Sequence, residues 1–144
     1  MNKCPHYGPI RLVGFSNMPT LYRMILPQRG DVYVKCGADI LLNGLKTDLK
    51  AEARCPVCGG VTRFQVIQKR IEDLIPKDPM LHVVEFDMRP GHLGVECEST
   101  HIFDTKDCLT KWLSTYAGKQ GLVVSLPDYM SSLNKRLPRK VSPE

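Results

Sequence analysis

Three residues of this chain have side chains whose types and spacing could do chemistry together. Cys36 and Asp39 sit in Cys36-Gly37-Ala38-Asp39, and Cys97 stands alone far downstream in Gly94-Val95-Glu96-Cys97-Glu98-Ser99-Thr100-His101-Ile102-Phe103. Sulfur is a soft donor, and a thiolate pair selects soft, thiophilic ions over hard ones. A carboxyl beside such a pair can pass a proton to whatever group the metal carries.

That combination suits the protonolysis of a bond between carbon and mercury(II). One thiolate can fill the open position of a monoalkyl mercury, but binding alone does not break the bond. A second thiolate pushes electron density onto carbon, which an acid held within about 3 Å can then protonate. Two thiols and one carboxyl are therefore the minimum set.

The elements that must hold these groups follow from pattern. Gly30-Asp31 reads as a turn into a strand over 32–35. Residues 36–45 have helical spacing through Ile40, Leu41 and Leu45, which puts Cys36 and Asp39 at i and i+3 on one face. Residues 51–55 and 61–68 read as two strands joined by Cys55-Pro56-Val57-Cys58-Gly59-Gly60. Residues 81–86 form another strand, Arg89-Pro90-Gly91-His92 a turn, and 95–103 a returning strand. Thr105 caps a helix with an apolar stripe of Leu109, Trp112, Leu113 and Tyr116, stopped by Gly118. Residues 121–125 are a strand, and Pro127 opens a last helix over 128–137. Upstream, Pro5, Pro9, Pro19 and Pro27 punctuate an irregular segment, with a short helix over 20–26 on the face of Leu21, Met24 and Ile25. The order predicts a single α+β domain: a mixed or antiparallel sheet with short flanking helices.

The stretch Val32-Tyr33-Val34-Lys35-Cys36-Gly37-Ala38-Asp39, a further cysteine downstream, and Cys97 four residues before His101-Ile102-Phe103 together resemble the organomercurial lyases, the alkylmercury lyase family. The resemblance runs over 31–137, leaving 1–30 as an irregular N-terminal segment and 138–144 as a flexible tail. It implies that Cys36 and Cys97 capture the metal and that Asp39 relays a thiol proton to the leaving carbon. Hg(II) then stays on the two sulfurs until small thiols or a mercury-accepting protein take it. It implies an organomercurial or related organometallic substrate, a role in mercury resistance, and no required cofactor. Two departures are visible. The family's usual N-terminal helical domain has no counterpart in the match. Where relatives often show Cys-Cys-His, this chain has Glu96-Cys97-Glu98-Ser99, whose carboxylates would oppose thiolate formation if near the sulfur.

Other assignments compete for the same residues. Cysteine is among the most buried residue types, so any one thiol can be a small core residue. Asp39 can cap a helix, His101 can be a strand residue with a satisfied ring, and Cys108, beside Leu109 and Trp112, reads as core. The Cys55/Cys58 turn has the form of a zinc knuckle. It lacks a second C-x-x-C, and Cys4 and His6 are the available partners for a structural zinc. The same turn also serves as a plain hairpin with a reduced thiol pair. A redox motif should open a helix, whereas Gly59-Gly60 leads into a strand. A non-catalytic thiolate carrier for copper, zinc or mercury, and a zinc-stabilised interaction module, are the alternatives to an enzyme.

Composition narrows the classes. The chain has 144 residues, net charge +5 and six cysteines. That length supports one domain with a sizeable core and no need of disulfide staples. No apolar run reaches the roughly 20 residues of a membrane span, and the start lacks a signal-peptide core. The expected place is the reducing cytoplasm, where cysteines serve as ligands, nucleophiles or core. The basic residues gather in 134–140 without interleaved aromatics, so neither nucleic acid nor membrane is an expected partner.

Overall fold

The structure, a computed structural model, describes residues 13–86, 93–116 and 120–137. Its main body is a six-stranded antiparallel sheet made of β1 (Phe15–Ser16), β2 (Tyr22–Leu26), β3 (Gly30–Val34), β4 (Leu49–Arg54), β5 (Val61–Ile67) and β6 (Arg70–Ile75), in the order β1-β3-β2-β4-β5-β6. Alternation sets its two faces. Tyr22, Met24 and Leu26 of β2, Leu49, Ala51 and Ala53 of β4, and Phe64 and Val66 of β5 point into the core. On the other face Arg23 pairs with Asp31 and Glu52, and Glu52 pairs with Arg63.

Helix α1 (Gly37–Gly44) follows β3 and lies on the buried face, with Ile40 and Leu41 fully enclosed. Two glycines permit that close approach: a Cβ at Gly37 would lie 2.6 Å from Ile102 Cγ1, and one at Gly44 would lie 2.8 Å from Val66 Cγ1. A second layer is the three-stranded sheet β10-β7-β11, built from β7 (Met80–Val83), β10 (His101–Phe103) and β11 (Leu122–Ser125), all antiparallel. A small ribbon pairs β8 (Glu85–Phe86) with β9 (Gly94–Val95). Helices α2 (Lys106–Thr115) and α3 (Leu126–Arg136) complete the domain. Thr105 caps α2 by accepting from the Cys108 N–H, and Ser125 caps α3, with Pro127 in its first turn.

The α+β class holds, as do α1, the β4–β5 hairpin, the Thr105 cap and the last strand and helix. Four expectations change. Residues 20–26 contain β2, not a helix. The stretch carries both a helical and a period-two pattern, and pairing with β3 and β4 on either side decides for the strand. The segment expected to be irregular therefore gives the sheet two strands. The strand expected over 81–86 breaks at Val84, whose N–H is taken by the Thr100 hydroxyl. The strand expected over 95–103 is broken by a single 3-10 turn at Cys97–Ser99. The α2 stripe is only partly used, since Leu113 and Tyr116 remain exposed. The turn at 89–92, Gly118, Cys4, His6 and the tail over 138–144 lie outside the described residues.

Candidate active site

Cys36 is the residue before α1, at its N-cap, rather than a member of the helix face. Asp39, at the third helical position, turns back so that its Oδ2 accepts from the Cys36 N–H at 3.3 Å, which is half of a capping box. The carboxyl is thus fixed beside the thiol by backbone geometry. Above it passes residue Gly14, at φ +70°, where a Cβ would lie 1.9 Å from Asp39 Oδ2. Asn43, one turn further along α1 and fully buried, holds that segment down. Its Oδ1 accepts from the Val13 N–H at 2.7 Å, and its Nδ2 donates to the Val13 carbonyl at 3.0 Å.

Cys97 reaches the same place from the 3-10 turn between β9 and β10. Its Sγ lies 3.7 Å from Asp39 Oδ2, and the donor atoms of Cys36, Asp39 and Cys97 all fall within 4.8 Å of one another. The turn is held by two histidines. His82 Nδ1–H donates to the Ser99 carbonyl at 2.6 Å while its Nε2 accepts from the Gly121 N–H. His101 Nε2–H donates to the Glu98 carbonyl at 3.1 Å, leaving Nδ1 to accept from the Tyr22 hydroxyl at 2.7 Å. Carbonyls only accept, so each tautomer is dictated by its partner. Trp112 packs against both imidazoles, and burial lowers the His101 pKa, keeping the ring neutral. His101 is therefore a satisfied strand residue, as expected. The Thr100 hydroxyl donates to the Glu96 carbonyl and the Ser99 hydroxyl to the Glu96 carboxylate.

The three groups differ in acidity for identifiable reasons. Cys36 is fully enclosed, and the bond its thiol makes to Cys97, together with burial, pushes its pKa far up. The same bond, with Cys36 donating, lowers Cys97, and Lys35 helps. Burial raises Asp39 above the usual carboxylate range against the N–H of Cys36. The cluster thus consists of a half-buried thiol inclined to ionise, a buried thiol that keeps its proton, and a carboxyl with raised affinity for one. Of the flanking glutamates, Glu96 turns its carboxylate to the Ser99 hydroxyl, from which it accepts at 2.9 Å.

A second group gathers Cys55, Cys58, Asp104 and Cys108, also with all donor atoms within 4.8 Å. Of its members, Cys55 and Cys58 were expected as a pair of ligands, Cys108 was expected as core, and the expected partners Cys4 and His6 lie outside the described residues. Cys108 is buried, but its sulfur belongs to this group as well as to the core. The signal for it was available as a third thiol in the first turn of a capped helix, with Asp104 four residues before it. Gly14, Asn43 and His82 carried no local signal, because each acts on a residue distant in sequence.

Fold and site together define a thiol chemistry in an α+β frame: a pair of sulfurs close to one another and to a carboxyl. The family follows from sequence. The profile of MerB, the alkylmercury lyases, matches residues 15–137, and the chain belongs to that family. Among solved structures, the mercury-bound form of MerB2 is similar in fold, with a TM-score of 0.66 and 24% identity. The likeness covers 86% of this chain and 62% of that one, so this chain spans less than two thirds of its relative's length. No curated protein sequence matches.

Proposed function

We propose that the chain cleaves a carbon–mercury bond by protonolysis. The observation that carries this reading is the convergence of Cys36, Asp39 and Cys97 within 4.8 Å. Cys97, the more acidic and more accessible thiol, attacks first: its thiolate bonds to the alkyl mercury and displaces the weaker ligand. Cys36 then gives its proton to the Asp39 carboxylate and adds as a second sulfur, weakening the carbon–mercury bond. Asp39 delivers that proton to carbon, the bond's electron pair leaves as the C–H bond of the hydrocarbon, and Hg(II) remains on two sulfurs. Mercury is substrate and product here, so the reaction requires no resident cofactor. Hg(II) held by two thiolates leaves slowly unless competing thiols are present, which suits a reducing cytoplasm and small thiols or an accepting protein as recipients.

Headspace gas chromatography with methylmercury, or detection of benzene from phenylmercury, tests the reading in excess small thiol. Hydrocarbon above a thiol-only control is expected. Stoichiometric capture without hydrocarbon would instead make the chain a thiolate metal carrier.

A further inference from the structure

The second thiol group is built as a ligand set rather than as core. Cys55 and Cys58 sit on the β4–β5 knuckle, whose backbone is closed by Cys55 N–H to the Gly60 carbonyl at 2.8 Å and Gly59 N–H to the Cys55 carbonyl at 3.0 Å. Gly59 takes φ +78°, and the Gly60 N–H points at Cys58 Sγ at 3.3 Å. A Cβ at Gly60 would fall 2.1 Å from Asp104 Oδ2, so only glycine lets that carboxylate approach the knuckle. Asp104, just after β10, brings both oxygens to 3.2 Å from Cys58 Sγ. Cys108 enters from the first turn of α2, which Thr105 caps.

We propose that Cys55, Cys58, Cys108 and Asp104 bind a structural Zn²⁺ in a closed tetrahedral site of three thiolates and one carboxylate. Zinc takes Cys and Asp ligands at about 2.3 and 2.0 Å, which sets tetrahedral edges of roughly 3.5–3.8 Å. Donors already within 4.8 Å need move by only about 1 Å. Four protein ligands leave no position for substrate, which is the mark of a structural site. The four anionic donors exceed the ion's charge, and the Arg54 guanidinium, bonded to the Gly59 carbonyl at 3.0 Å, offsets part of the excess. The ion would join the hairpin tip, the end of β10 and the start of α2. These elements also meet in a small core of Cys55, Phe103, Cys108 and Leu109 with Met80 and Trp112 around it. This site is separate from the Cys36/Cys97 pair and does not depend on the function proposed for it.

Elemental analysis and native mass spectrometry of the full chain, expressed with zinc and purified reduced, should find about one zinc per chain. X-ray absorption on that protein should give a shell of three sulfurs and one oxygen. The zinc should persist in a Cys36→Ser/Cys97→Ser double variant and be lost from Cys58→Ser, chosen because Cys58 is exposed and its loss leaves the core packed. Absence of zinc after reconstitution, a shell without three sulfurs, or loss of zinc from the Cys36/Cys97 variant would each overturn the proposal.

Discussion

Among the described residues, two clusters of thiol and carboxylate lie at opposite ends of β10, and they differ in what they leave open. The Cys36/Asp39/Cys97 group has three donors, one half-buried sulfur and a carboxyl whose proton affinity burial has raised. The Cys55/Cys58/Asp104/Cys108 group has four donors, enough to close a tetrahedron. Donor chemistry is nearly the same in both, so number and support separate a site that exchanges ligands from one that keeps them. In the first, backbone N–H groups and two imidazoles hold the turns while the sulfurs remain free to close on a metal. In the second, glycines let the ligands themselves crowd together.

Substitutions at the first cluster should have the largest effects. Cys36→Ser and Cys97→Ser should each abolish cleavage, because either leaves one soft donor on the metal. Asp39→Asn should still capture a monoalkyl mercury, seen as a mass increase that retains the alkyl group. Its hydrocarbon release should fall roughly 10²- to 10⁴-fold, the range for loss of a positioned general acid. Normal release from Asp39→Asn would assign the proton to another group and dissolve the contrast between the clusters.

The second cluster should answer in stability instead. Replacing Cys55 and Cys58 together by Ser should cost about 3 kcal/mol, the order expected when a structural ligand set is lost, and lower Tm by on the order of 10 °C. Turnover per folded molecule should be unchanged. Abolished turnover with Tm intact would move this pair into the active site.

What the sequence allowed to be read tracks how local each determinant is. The β4–β5 hairpin turn and the Thr105 cap are written in neighbouring residues and stand as expected, whereas the start of α1 shifts by one residue, so that Cys36 is its N-cap instead of part of its face. Cys36, Asp39 and Cys97 were singled out by residue type and by the family resemblance, and the structure brings their donor atoms within 4.8 Å of one another. Strand β2 was not, because Leu21, Met24 and Ile25 satisfy a helical face as well as Tyr22, Met24 and Leu26 satisfy a strand, and only partners on both sides decide. Cys108 was hidden by a stripe that truly packs: the same side chain serves the core and the cluster. Asn43 had no signature, since its partner Val13 lies 30 residues away.

That hidden contact gives a smaller test. Asn43→Ala removes two hydrogen bonds to Val13 and should cost about 1–2 kcal/mol. With the segment freed, Gly14 no longer covers Asp39, and water should return to the carboxyl. Since burial is what raises the Asp39 pKa, it should fall toward the ordinary carboxylate range, as followed by NMR titration of labelled aspartate. An unmoved titration would mean that α1 and β10 alone bury the acid.

The smallest expected effect concerns the order in which the two sulfurs act. Cys97 owes its lowered pKa first to the Cys36 thiol that donates to it, with burial and the Asp39 carboxylate opposing and Lys35 assisting. Removing the donor in Cys36→Ala should raise the Cys97 pKa, so its alkylation by iodoacetamide, read by peptide mass mapping, should shift to higher pH. Asp39→Asn removes an opposing charge and should shift the same curve to lower pH. Opposite displacements from two neighbours of one sulfur would identify Cys97 as the thiolate that meets the metal first. If the curve stays in place in Cys36→Ala, the two thiols do not share a proton in the resting protein. Capture could then begin at either sulfur, and the first cluster would resemble the second in having no preferred point of entry.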